Sequence, residues 1–225
     1  MLKRIYRKLK WIHNISVTKY IFYNYFSSKV IRASGEHIIP YKGAVIELGK
    51  GAKIFLNGGD LSVGVNRIGN SKAETYIRIM KGAQWKCNGT VALCYGTTVD
   101  VHESATLTTG SFYMNTGSVI VVAKSVQIGK DTLIGRDNVI YDSDFHSMLG
   151  QDGLAYNKPK AVILKDHVWL TNHVMVQKGV TIEDGAVIAP FTIVKKSVQA
   201  GTLVANGMQA GCVKEHIDWA IQKPE

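Results

Sequence analysis

One histidine of this 225-residue chain stands beside two carboxylates, in the stretch "IYDSDFHSMLGQDGLAYNKPKAVI" at residues 140–163. A neutral imidazole titrates near pH 7 and can take a proton from an attacking hydroxyl, so His146 is a candidate general base. Asp144 lies two residues earlier and on the same side of an extended chain. Its carboxylate would there fix the ring's tautomer and steady the imidazolium. Asp142 shares that side and suits either ligand binding or the orienting task itself. The plainer alternative is a loop histidine satisfied by Asp144, without chemistry. His167 and His173 are six residues apart and form neither an HxH nor an HxxxH pair, so a zinc site is not expected.

The elements that must hold His146 are written in a six-residue rhythm. Apolar residues fall at Leu164, Leu170, Val176, Ile182, Ile188 and Val194, and on the same beat at Val122, Ile128, Ile134 and Ile140. Weaker runs precede them: Leu48 and Ile54, then Ile79, Trp85 and Val91, then Val101 and Leu107. A period of six fits neither a helix nor an antiparallel meander, and it marks a parallel β-helix of short strands joined by corners. Gly129, Gly135 and Ala189 follow the apolar step, while Ser125, Asp131, Asp137, Asp166 and Asp184 suit bends. Three hexads per coil would stack residues eighteen apart into three apolar ladders. The excursion at about 145–160 is polar, contains glycine, ends near Pro159 and interrupts the rhythm.

Composition narrows the field. With 46% apolar residues the chain can bury a core, and one elongated domain over 36–211 with extensions at 1–35 and 212–225 is the simplest division. No run approaches a membrane span, and the first twenty residues lack the apolar centre of a signal peptide, so a cytoplasmic protein is expected. Cys87, Cys94 and Cys212 form neither an even set nor a CxxC pair, which disfavours a disulfide framework or structural zinc. The net charge is +10, and eight Lys/Arg precede the first acid, Glu36. Leu2, Ile5, Leu9 and Ile12 recur at helical spacing opposite those cations. That basic helix would either lie on the inner face of the plasma membrane as a peripheral contact or cap the end of the β-helix. Nucleic-acid binding is not expected, because no basic stripe with stacking aromatics follows. The tail "VKEHIDWAIQ", 213–222, reads as a short helix closing the prism.

The run "VWLTNHVMVQKGVTIEDGAVIAPFTIVKKSV" (168–198), together with "YDSDFHSM" and the basic N-terminus, resembles the hexapeptide-repeat acyltransferases. Within them it is similar to the O-acetyltransferases of capsule, O-antigen and exopolysaccharide pathways. The resemblance covers about 36–213 and is specific at 140–198. It implies a left-handed parallel β-helix, whereas parallel crossovers are ordinarily right-handed. It also implies a homotrimer with sites between subunits, acetyl-CoA as co-substrate, no metal, and a carbohydrate acceptor such as a nucleotide sugar or lipid-linked oligosaccharide.

Carried over residue by residue, the resemblance makes His146 the base that lets a sugar hydroxyl attack the thioester directly. Asp142 is then a sugar contact or a second orienting carboxylate. Trp169 falls where relatives carry a tryptophan near the donor or acceptor cleft, or else it plugs an interface. Thr171, Ala189 and Thr192 would line the donor groove by being small, and Lys195 and Lys196 would meet the coenzyme's phosphates. The "NGMQAGCV" segment (206–213) departs from the family's G-x-P-A-R, with Gln209 for the proline and Gly211 for the arginine, and Lys214 is a substitute cation. Tyr113 and Asn115 are candidate sugar contacts. Two other readings stay open: N-acylation of an amino nucleotide-sugar, and a non-catalytic β-helical scaffold or membrane-surface adaptor.

Overall fold

The computed structural model describes residues 14–206 and the backbone of 211–214. Three parallel sheets wrap one interior, each adding a strand per turn of the chain. The first wall runs from β1 (Val30–Arg32) to Thr181–Ile182, the second from β2 (Ile38–Pro40) to Leu203–Ala205, and the third from β3 (Ala44–Leu48) to Ile193–Val194. Successive strands of a wall belong to successive coils, which makes the architecture a parallel β-helix, left-handed as expected. The first coil starts at Val30, inside the stretch read as an extension.

Short strands alternate inward and outward residues, so one wall contributes whole columns to the core. In the first wall Ile54, Trp85, Leu107, Val126 and Val162 stack in register, each fully buried. In the second, Leu93, Met114, Ile134, Leu170 and Ile188 do the same. Each such side chain contributes about 1.5–3 kcal/mol by leaving water.

The eighteen-residue step holds only late in the chain: Ile163 lies beside Thr181 and Trp169 beside Val187. Earlier coils are wider, with Ile54 beside Trp85, thirty-one residues on. The weak rhythm before residue 122 is therefore real structure with longer corners. Ile128 sits beside Leu164, thirty-six residues on, because a whole coil's length of chain leaves the prism between them. At that crossing Gly135 is obligatory, since a Cβ there would meet the Thr171 carbonyl oxygen at 2.0 Å.

Asp131 and Asp137 adopt left-handed φ of 53° and 56° at corners, as their turn tolerance predicts. Asp166 and Asp184 accept the amides of Lys130 (2.7 Å) and Asp166 (2.8 Å), tying corners of successive coils. Ser125, expected at a bend, instead opens the strand Ser125–Ile128.

At the N-terminal end a helix α1 (Val17–Ile21) continues into a π-helical turn, Phe22–Phe26, and is fastened to the first coil. Tyr23 donates its hydroxyl to the Ile46 carbonyl (2.6 Å), and Asn24 exchanges hydrogen bonds with both backbone groups of Ile38. The amphipathic residues Leu2 to Ile12 lie outside the described residues. At the other end Gly211–Lys214 pairs antiparallel with Leu203–Ala205 and covers the last strand edge, where a helix from 213 was expected. Residues 215–225 and the side chains of Gln209 and Lys214 lie outside the described residues. Among the described residues no helix is long and apolar enough to cross a membrane.

Leu170→Ala, which truncates a fully buried side chain, should lower the unfolding free energy by about 2–5 kcal/mol. Denaturant unfolding measures it, and a loss below about 1 kcal/mol would contradict a close-packed ladder.

Candidate active site

The chain departs from the third wall after Tyr141 and rejoins the first at Val162. Asp142 is buried completely, and its carboxylate accepts the amides of Ala123, Lys124 and Ser125, each at 2.7 Å. Its own carbonyl accepts the Lys160 amide at 2.9 Å, where the excursion returns. The expectation that Asp142 binds a sugar or orients His146 is therefore corrected. A carboxylate with three amides and no exposure is a structural fastening.

His146 follows at once, on an exposed turn. Its amide donates to the Asp144 carbonyl at 2.7 Å around Phe145, whose φ is +62°. A three-residue turn of this kind is rare for a residue with a side chain and stores strain beside the candidate base. The Phe145 ring is held by Tyr141, 5.6 Å away and edge-on, and by His102 at 5.2 Å.

Asp144 does not meet the imidazole. Its carboxylate accepts from the Lys178 ammonium and from Asn157 Nδ2 (3.0 Å). Lys178 first, then Asn157, holds the Asp144 carboxyl below the usual carboxylate range. The same Asn157 amide donates to the His146 carbonyl (2.7 Å), and its Oδ1 accepts the Met148 amide (2.7 Å). Asn157 thus pins both limbs of the excursion, and the His146 ring, held only through its backbone, makes no hydrogen bond or ion pair among the described residues. Asp144 is a loop anchor, its carboxylate committed to Lys178 and Asn157.

A second imidazole stands at the same edge. His102 Nε2 lies 3.6 Å from Asp100 Oδ2, and Asp100, nearly buried, is also gripped by Arg78 through both carboxylate oxygens. That grip pushes the Arg78 pKa up and keeps the guanidinium charged. Sequence reading passed over His102, Lys178 and Asn157. The signal for Lys178 was available, because it falls eighteen residues after Lys160 and eighteen before Lys196 on one corner of the coil.

The other expected contacts divide. Thr171 and Ala189 are half-buried and stack one coil apart at the corner between the second and third walls; Trp169, on the outer face of the second wall, lies between Leu133 and Val187. Lys195 and Lys196 are exposed at the corner that carries the excursion, across the prism from the second wall. Thr192 is fully buried, its hydroxyl accepting the Asn206 amide at 3.3 Å, so the groove role expected for it is corrected. Tyr113 has its hydroxyl engaged by Asn66 (2.8 Å) and Cys94 (2.7 Å), and it is pushed up to about 12 by burial first and by Cys94 second. It anchors the 66–74 corner, a second departure from the coil that the hexad pattern did not mark. Asn115 turns its Oδ1 back to the Thr116 amide (2.9 Å). The Tyr113 hydroxyl is committed within the chain, whereas the Asn115 Nδ2 has no hydrogen-bond partner among the described residues.

No protein-family model matches the chain. It is 31% identical over 107 residues to galactoside O-acetyltransferase of Escherichia coli K12, spanning 47% of this chain and 51% of that protein. It is 30% identical over 146 residues to polysialic acid O-acetyltransferase of Escherichia coli O1:K1, spanning 64% of this chain and 45% of that protein. The chain thus spans about half the length of the curated relatives it matches. Among solved structures, the polySia-specific acetyltransferase NeuO superposes on 88% of this chain and 92% of its own with a TM-score of 0.54 at 21% identity, a likeness of fold. The resemblance to polysaccharide O-acetyltransferases expected from residues 140–198 is borne out in sequence, and the β-helix in fold.

Because the Asp144 carboxyl is depressed, its tie to Lys178 is present above the ordinary carboxylate pKa and is lost only as pH falls through the lower folded value. Amide exchange over 143–158, corrected for intrinsic rate, should be flat from pH ~8 to ~5 and rise only below pH ~4. Lys178→Met should raise that exchange at neutral pH, and exchange equal to the parent's would remove Lys178 as the anchor. Asp142→Ala, which orphans three amides, should cost about 2–4 kcal/mol in denaturant unfolding.

Proposed function

We propose that this chain transfers an acetyl group from acetyl-CoA to a carbohydrate hydroxyl during the building of a cell-surface polysaccharide, with His146 as general base. The observation that carries the reading is an exposed imidazole, free of side-chain partners among the described residues, on a strained turn at the start of the 142–161 excursion. The sequence likeness to two sugar-directed O-acetyltransferases supports the donor and the reaction class.

In the proposed step His146 takes the proton of the acceptor hydroxyl as its oxygen attacks the thioester carbonyl. The C–O bond forms, the C–S bond breaks, and the imidazolium returns its proton to the departing thiolate. No acyl-enzyme is required. Cys87 is buried and its thiol pushed up by that burial, while Cys94 is raised by burial and hydrogen-bonded to Tyr113, so neither is a ready nucleophile. The acceptor is a nucleotide sugar or lipid-linked oligosaccharide, and the reaction runs on the cytoplasmic side, where acetyl-CoA is supplied.

The site is shared between protomers of a homotrimer. His146, Lys195 and Lys196 lie at one edge of the prism, and Trp169, Thr171 and Ala189 lie across it. One chain cannot bring both sets to a single thioester, so the edge of one copy meets the second wall of the next. Sedimentation of the purified protein tests the trimer.

His146→Ala should lower the turnover number about 10²–10⁴-fold with the melting temperature unchanged. The assay uses labelled acetyl-CoA with hydroxyl sugars, amino nucleotide-sugars and lipid-linked oligosaccharides. Near-normal transfer by the variant would remove His146 from the mechanism, transfer only to amino sugars would make the chain an N-acyltransferase, and no thermal shift with acetyl-CoA would favour a scaffold.

A further inference from the structure

The helical segment Val17–Phe26 is amphipathic in the reverse of the usual sense. Three of its polar residues face the protein, while Thr18 stays exposed: Asn24 is buried against Ile38, Tyr23 reaches the Ile46 carbonyl, and Lys19 donates to the Ala44 carbonyl. Its apolar residues face out. Val17, Ile21, Phe22, Tyr25 and Phe26 form one stripe, exposed from 44% at Ile21 to 74% at Phe26. A surface helix normally turns such a stripe inward, so a contiguous outward one calls for a covering surface. Beside it an open cleft of about 320 Å³ is lined by Phe22, Tyr23, Phe26, Lys29, Ile46 and Leu48.

The rim of this face carries three cations, Lys29, Arg32 and Lys53, and two acids, Glu47 and Asp60, which are engaged by the Tyr76 hydroxyl and the His37 amide. Lys29 stands in the cleft, the Arg32 guanidinium sits 5.7 Å from the Tyr25 ring, and the Lys53 ammonium rests on the Ser28 carbonyl. The nearest acid in sequence, Glu36, is occupied by the amides of Ser34 and Gly58. Eight Lys/Arg and no Asp or Glu lie in residues 1–35, of which this segment is part.

We infer that the outward face of Val17–Phe26 docks the protein on an anionic lipid bilayer. Two phenylalanines and a tyrosine with flanking cations match the headgroup–acyl boundary, where apolar side chains insert and Lys/Arg meet lipid phosphates. Charge favours the bilayer, because Lys29, Arg32 and Lys53 stand beside the apolar face where lipid phosphates would meet them. The surface lies at the N-terminal end of the coil, whereas the 142–161 excursion interrupts it four coils further along, so docking and acetyl transfer use different residues.

The test is flotation of the full chain with vesicles of phosphatidylcholine alone or with about one third phosphatidylglycerol. Binding should require the anionic lipid and weaken as salt rises from about 50 to about 500 mM. Phe22→Ser/Phe26→Ser should bind at least about tenfold more weakly with an unchanged melting temperature. Phe26→Ser alone, at the most exposed position, should show a smaller loss in the same direction. Absence of binding by the parent, equal binding to neutral vesicles, or undiminished binding by both variants would overturn the inference. So would a lowered melting temperature with vesicle binding intact, which would mean that residues 1–13 cover the face. A changed sedimentation coefficient with binding intact would assign the face to a second copy.

Discussion

A stacked coil can be interrupted only if the chain rejoins the next wall in turn with the same side inward, because a slip of one residue turns the core column out to solvent. Asp142 meets that requirement here. Its carboxylate holds three amides of the coil at the point of departure, and its carbonyl holds the Lys160 amide at the point of return. Ile128 then stacks on Leu164 as though the intervening residues were absent. This one buried carboxylate fastens both ends of the excursion.

Given that fastening, the polar groups of the excursion can be spent on shape. Asn157 joins the Asp144, His146 and Met148 sides of the loop, and Lys178 reaches across from the next coil to Asp144 and to the Asn157 carbonyl. Phe145, at a positive φ, makes ring contacts with Tyr141 and His102. The result is a loop mouth whose imidazole makes no hydrogen bond or ion pair among the described residues, as the proposed removal of a proton from an acceptor hydroxyl requires.

The outer faces of the prism are unequal. The first wall presents a mixed column, Ile31, Phe55, Lys86, Thr108, Gln127, Ile163 and Thr181. The second presents Tyr113, Leu133, Trp169, Val187 and Leu203, and the third Val119, Val139, Met175 and Ile193. These outward columns leave more apolar surface on the second and third walls than on the first. The reversed helix at the N-terminal end is a third surface of this kind, distinguished from the walls by the three cations at its rim.

The amino-acid sequence determined the coil, because burial on a period of six admits no helix and no simple hairpin, and it located the interruption and its histidine. Glycine at 135 and aspartate at the corners were readable for the same local reasons of sterics and turn chemistry. What only the tertiary structure decided is which polar group each carboxylate meets. Asp142, Asp144 and His146 alternate along the chain as if they faced one substrate, yet Asp142 is claimed by amides about eighteen residues earlier and Asp144 by a lysine thirty-four residues later. Charge pairing and amide satisfaction are settled across coils, between residues that the linear spacing does not join. The outward turn of Val17–Phe26 was likewise fixed by the first coil's free carbonyls at Ala44 and Ile46, which drew the segment's polar side inward and left its apolar side to the surroundings.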